Sequence, residues 1–163
     1  MKNRTIKIAV VIVLVLAWGI YGTYYFLNLK TSIQKAVLDQ VDMDNVYLQI
    51  IRTHTKITNE PTDYNVHVME KSGVKTILDQ LSGIELKKTN GMNNRDKVPF
   101  YYTIIIRPKS NQDSTSKYEI TFKNNKLVSI FDQEKNNRQE YTITNEFDYH
   151  SFKNSIDKLF QKE

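Results

Sequence analysis

Ser72-Gly73-Val74-Lys75 has the Ser-x-x-Lys spacing in which a lysine one helical turn on assists a serine that attacks an acyl group. The same spacing recurs at Ser32/Lys35, Ser114/Lys117 and Ser155/Lys158. Four occurrences in a chain containing many lysines and serines mark it as background. The companion Ser-Asp-Asn and Lys-Thr-Gly elements are missing, since Lys88-Thr89-Asn90-Gly91 is not the latter, so Ser72 reads as a plain helix cap. The histidines His54, His67 and His150 are scattered, with no His-x-His and no Glu flanked by histidines, so a zinc site would have to be assembled in space. Asp39, Asp42 and Asp44 invite a calcium reading, but an EF-hand loop would need an oxygen ligand at Val46 and a glycine at Tyr47. No glycine-rich loop cradles phosphate. The expectation is therefore no catalytic residue, no metal and no cofactor.

What remains is surface recognition. Lys87, Lys88, Tyr101, Arg107 and Lys109, with Phe100 and Tyr102 beside them, are candidates for an aromatic and basic face. Such a face would suit a wall polymer such as a teichoic acid, lipid headgroups or a partner protein. The competing reading makes these aromatics core and cross-strand packing.

Charge decides where such a face can operate. Of 23 Lys and Arg in 163 residues, Lys2, Arg4, Lys7 and Lys30 lie in the first thirty positions, where there is no acid. The formal charge of +5 thus belongs to the N-terminal segment. Beyond it the balance is near neutral, which removes the electrostatic footprint of a nucleic-acid-binding domain and argues against strong polyanion binding.

Ile8 to Leu27 carries no charge and, at about 1.5 Å per residue, is long enough as a helix to cross a bilayer. The segment reads as a transmembrane signal anchor, with Ile8, Val13, Leu16, Trp18, Tyr24, Tyr25 and Leu27 in contact with lipid. Lys2, Arg4 and Lys7 hold the tail, residues 1–7, in the cytoplasm by the positive-inside bias, which places the rest outside. A cleaved signal peptide, with Ala17-Trp18-Gly19 as the processing site, is the rival. Against it, apolar character continues for eight residues past Gly19. Without cysteine there is neither a lipid anchor nor a disulfide, so the exported part must rely on a lean core alone.

Residues 28–43 read as a helical stalk, from Ile33, Ala36 and Val37, and 44–163 as the extracytoplasmic domain. Strands are expected over Asn45–Thr53, Tyr64–Val68, Ile84–Thr89, Val98–Arg107, Lys117–Phe122, Lys126–Phe131 and Gln139–Thr144. Asn124-Asn125, tolerant of positive φ, suits a tight hairpin. A helix capped by Ser72 and Gly83 carries Val74, Ile77, Leu78 and Leu81 on one face. A C-terminal helix has the stripe Tyr149, Phe152, Ile156, Leu159 and Phe160. The sum is an α+β domain: an antiparallel meander sheet with one inserted helix and one closing the chain.

Val74 to Leu81, Lys87-Lys88-Thr89, Pro99 to Tyr102 and the stretch Tyr118 to Leu159 resemble a small extracytoplasmic domain family of unknown function, found in membrane-anchored and lipoprotein-like proteins of low-GC Gram-positive bacteria. The abundance of Lys, Asn and Ile suggests the AT-rich coding of such organisms. The resemblance implies a surface location and carries no catalytic residue. The function expected is a non-catalytic binding or interaction module held at the cell membrane, an accessory or regulatory component of an envelope system. It would touch the lipid bilayer and an envelope protein, with wall polymer a further candidate and nucleic acid excluded. The alternatives are an immunity or inhibitor protein at the cell surface and a small enzyme acting on the cell wall.

Overall fold

The computed structural model describes residues 11–23, 29–54, 63–89, 100–109 and 116–161. The chain divides into two compact units, Met1–Lys30 and Thr31–Glu163. In the first, residues 11–23 form a helix, α1, whose large apolar side chains from Val11 to Tyr21 are 53–79% exposed. Among the described residues no helix is long and apolar enough to cross a membrane. The expected span is described only in part: Val13, Leu16 and Trp18 lie on α1, while Ile8, Tyr24, Tyr25 and Leu27, and the charges Lys2, Arg4 and Lys7, fall outside the described residues.

The second unit is α+β, with one eight-stranded sheet. Its strands are β1 (Lys30–Ser32), β2 (Val46–His54), β3 (Asp63–Val68), β4 (Glu85–Thr89), β5 (Phe100–Pro108), β6 (Tyr118–Phe122), β7 (Leu127–Asp132) and β8 (Asn137–Ile143). The helices are α2 (Ile33–Ala36), α3 (Lys71–Ser82) and α4 (Tyr149–Asp157), with 3-10 turns at Leu38–Gln40 and Leu159–Gln161. The sheet order is β1-β4-β8-β7-β6-β5-β2-β3. Only β5 to β8 form a meander. The expected all-meander sheet is corrected because α3 carries the chain from β3, at one edge, to β4 near the other.

Period-2 alternation explains which face is covered. Val46, Leu48 and Ile50 of β2 lie in register with Pro108, Ile106 and Ile104 of β5, and Ile104 and Ile106 in turn with Ile120 and Tyr118 of β6. These residues join Val74, Ile77, Leu78 and Leu81 of α3 and Phe152 and Ile156 of α4 in one core. The helices therefore pack on a single face. On the other face Tyr47, Ile105, Leu127 and Ser129 are buried, outside that core cluster.

The stalk is also corrected. Residues 30–41 are not one continuous helix but strand, short helix and 3-10 turn, and Ile33, Val37, Leu38 and Val41 are buried in the core. Ile33 N–H donates to the Ile84 carbonyl (3.0 Å), and the Lys117 ammonium donates to the Gln40 carbonyl (2.6 Å). The four apolar residues gain more by packing on the sheet than by following a helical period into water. Two local signals also shift. The α3 N-cap is Glu70 rather than Ser72, which lies in the first turn and accepts the Thr76 hydroxyl through its carbonyl. The β6–β7 hairpin forms as expected, but among the described residues the non-glycine residue with positive φ is Asn136, in the β7–β8 turn, not Asn124 or Asn125.

Candidate functional site

β2 continues its core-facing alternation from Val46, Leu48 and Ile50 to Arg52, so a cation is carried onto the covered side of the sheet. A guanidinium largely withdrawn from water requires a partner. Asp157, in the last turn of α4, supplies one: its Oδ1 accepts from Arg52 Nη1 at 3.3 Å and from the Tyr102 hydroxyl at 2.9 Å, while Oδ2 accepts from Lys153 Nζ at 2.7 Å. The guanidinium carbon lies 4.6 Å from the ring centroid of Tyr64, 5.1 Å from that of Phe100 and 4.9 Å from that of Phe160. One cation is thus held by three aromatic rings and a carboxylate, which joins β2, β3, β5 and the C-terminal turn. Arg52 Nε is buried and makes no hydrogen bond.

The electrostatics of this cluster favour holding over proton transfer. Burial alone would raise the Asp157 pKa, but hydrogen bonds from Lys153, Tyr102 and Arg52 outweigh it and keep the carboxyl below its ordinary range. Burial, reinforced by the bond to Asp157, pushes the Tyr102 phenol well above its ordinary value. At neutral pH the acid is charged, the phenol is protonated, and both are bonded to each other. A general acid or base needs a pKa near the working pH, and neither group has one.

The five residues expected to make a recognition face are not brought together. Lys87 and Lys88 are exposed on β4 but, as consecutive strand residues, point to opposite faces. β4 is separated from β5 by β8, β7 and β6, a span of about 19 Å at the usual strand spacing. Tyr101 and Arg107 share the uncovered face but stand at opposite ends of β5, in register with Thr53 and Tyr47 respectively. Arg107 Nε donates to Gln49 Oε1 at 2.8 Å, and Lys109, past the strand end, is exposed. Phe100 and Tyr102 turn to the covered face and serve the Arg52 cluster.

The acidic triplet likewise separates. Asp39 accepts from Gln34, and Asp42 from the Asp44 amide and the Asn45 side chain. Asp44 pairs with Lys71 at 2.7 Å, whose hydrogen bond and charge lower its pKa. His54 packs edge-on against Phe100 (centroids 4.3 Å apart), His67 is exposed beside Tyr47, and His150 is in the first turn of α4. No group of three or more His, Asp or Glu among the described residues could hold a metal ion.

The uncovered face carries a row that is polar from β5 to β8: Thr103, Thr121, Ser129 and Glu140 lie in register across four strands, with Ile51 of β2 at its end. The Thr103 and Thr121 hydroxyls are 3.1 Å apart, and Lys123 pairs with Glu140 at 2.8 Å. Ser129 Oγ is buried without a hydrogen-bond partner. An open depression beside the β6–β7 turn is lined by Asn125, Lys126, Asn145, Glu146, Phe147 and Asp148, among others.

Sequence reasoning missed the Arg52 cluster, although its signal was present. A charge at a core-facing position of β2 and an acid beside the apolar stripe of α4 are both anomalies that only a mutual pairing resolves. No protein-family model matches the chain, and neither a curated protein nor a solved structure is significantly similar to it.

Proposed function

We propose that this chain is a single-pass membrane protein, with its N-terminus in the cytoplasm, whose Thr31–Glu163 domain is a non-catalytic binding module outside the membrane in a bacterial envelope, an accessory or regulatory component. The observation that carries the reading is the uncharged run Ile8–Leu27, whose described part is a helix exposed on all sides. A helix apolar all round must be covered by something, and a lipid bilayer is the cover such a length fits. Thr23, a polar side chain in this run, donates its hydroxyl to the Gly19 carbonyl at 2.7 Å, the internal bonding that hydrocarbon surroundings demand. The positive charges of Lys2, Arg4 and Lys7 support the orientation. The non-catalytic reading is supported by the Arg52–Asp157–Tyr102 cluster, whose ionisable groups are spent on one another. The extracytoplasmic family suggested by Val74–Leu81 and Lys87-Lys88-Thr89 fits the same location.

The chain has no cysteine, so single cysteines report topology without background. In intact cells a membrane-impermeant maleimide is expected to label Lys158→Cys, with Lys2→Cys labelled only after lysis. The reverse pattern, or a mature chain beginning at Ile20, would sink the reading. Crosslinking in native membranes should return one recurring envelope protein.

A further inference from the structure

We propose that the outer edge of β3 pairs with β3 of a second copy of this chain, antiparallel and centred on Val66, so that two sheets join across a two-fold axis. The inference goes beyond the anchoring proposed above and does not rest on it. β3 is the last strand of the sheet, and among the described residues only β2 pairs with it. An unpaired edge is a template for another strand, and proteins that avoid such pairing shorten the edge, bulge it, or place lysine or proline on it. The opposite edge, β1, is three residues long and begins with Lys30. β3 has none of these devices, and its one charged residue, Asp63, stands at the very start of the strand. It is six residues long, contains no lysine, arginine or proline, and matches β2 one to one from Val68↔Leu48 to Asp63↔Thr53 without a bulge.

Self-complementarity decides the partner. A two-fold axis normal to the sheet keeps each side chain on its own face, so the axis must pass through a residue rather than between two. Centred on Val66, it sets Val66 opposite itself, Tyr64 opposite Val68 and Asn65 opposite His67. The first two pairs lie on the helix-covered face and are apolar and aromatic to β-branched, the combinations that stabilise cross-strand contacts. The third lies on the uncovered face and opposes an amide to an imidazole. Within one strand these two side chains already stand 3.5 Å apart, and both are exposed. Centring on His67 would set imidazole against imidazole and leave Tyr64 without a partner. Centring on Asn65 would leave Val68 without one. Met69, directly after the strand, is 49% exposed and is the one large exposed apolar side chain among the described residues of this unit. A second strand along the edge would cover it. The result is an isologous interface, in which the same patch serves both copies.

The test uses the full-length chain. Asn65→Cys and His67→Cys chains are prepared separately, mixed, and oxidised mildly. Directly opposed strand residues fall within disulfide reach, whereas Asn65 meets Asn65 only diagonally, at about 7–8 Å. The mixture is expected to give a linked species at twice 19.2 kDa, several-fold stronger than either variant alone, with Glu85→Cys on β4 as the unlinked control. In detergent, light scattering should show the unmodified chain at the doubled protein mass and Asn65→Lys/His67→Lys at 19.2 kDa, with the dimer restored on mixing with Asn65→Glu/His67→Glu. A monomeric unmodified chain, linkage no stronger in the mixture than in the single variants, or a dimer that survives the paired lysines would each overturn the proposal.

Discussion

Replacing Asp157 by alanine removes the acceptor of three hydrogen bonds at once. It leaves the Tyr102 hydroxyl, on a residue 1% exposed, without its partner, and strands the Arg52 guanidinium among Tyr64, Phe100 and Phe160 with Nε already unbonded. An unsatisfied buried hydroxyl costs about 1–3 kcal/mol. Breaking a fully buried ion pair by removing one partner costs about 3–5 kcal/mol. The Arg52 and Asp157 side chains keep 20% and 21% of their exposure, so water takes back part of the second figure. The expected loss for Asp157→Ala is then about 2–4 kcal/mol, or about 10 °C in Tm for a domain of this size. Asp157→Asn, which keeps shape and an oxygen acceptor, should lose about half as much, and Tyr102→Phe about 1 kcal/mol. Thermal melts of the full-length chain in detergent, followed by far-ultraviolet circular dichroism, give the order. A double-mutant cycle with Arg52→Ala should return a coupling of about 1–2 kcal/mol. Because folding lowers the Asp157 pKa, its contribution is present above the unfolded value of about 3.9 and is lost as pH falls through the folded value. The acid limb of the stability curve should therefore be shallower for Asp157→Asn than for the unmodified chain. An Asp157→Ala variant within about 0.5 kcal/mol of the parent, or zero coupling to Arg52, would refute the clamp.

Two further outcomes follow from packing and burial. Tyr102, Tyr118, Tyr141 and Tyr149 all have phenols raised chiefly by burial, so the folded state keeps protons that the unfolded chain releases above about pH 10, and stability falls as pH rises past that point. Tyrosinate absorbance should show these four of the ten tyrosines ionising late, together with loss of the dichroism signal; normal, reversible titration of all ten would contradict their burial. Gly73→Ala should lower Tm although alanine favours a helix by about 1 kcal/mol, because the new Cβ would stand 2.9 Å from Val68 Cγ1. A rise in Tm would mean that β3 yields to α3 without strain.

Most elements were legible because their signals are local. β5 shows its period-2 pattern within nine residues, and α3 its 3.6-residue stripe within twelve. Boundaries moved by a residue or two, as at β8, where pairing with β7 extends the strand back to Asn137. Residues 30–41 were misread because Ile33 and Val37 suit either a free amphipathic helix or a segment pressed against a sheet, and their partners, such as Ile84, lie some fifty residues away. The expected recognition residues failed to converge because proximity in sequence says nothing about sheet order: Lys87 and Tyr101 are fourteen residues apart and four strands apart.

By itself the sequence determined the charge asymmetry, the uncharged run, the reliance on packing without disulfides, and the α+β class, since each depends on composition or on short-range periodicity. Only the tertiary structure decided that β3 and β1 are the sheet edges, that residues 30–41 belong to the core, and that Arg52 meets Asp157 across 105 positions. Those outcomes depend on which distant surfaces bury one another best, a competition among all the elements at once that no single stretch of the chain encodes.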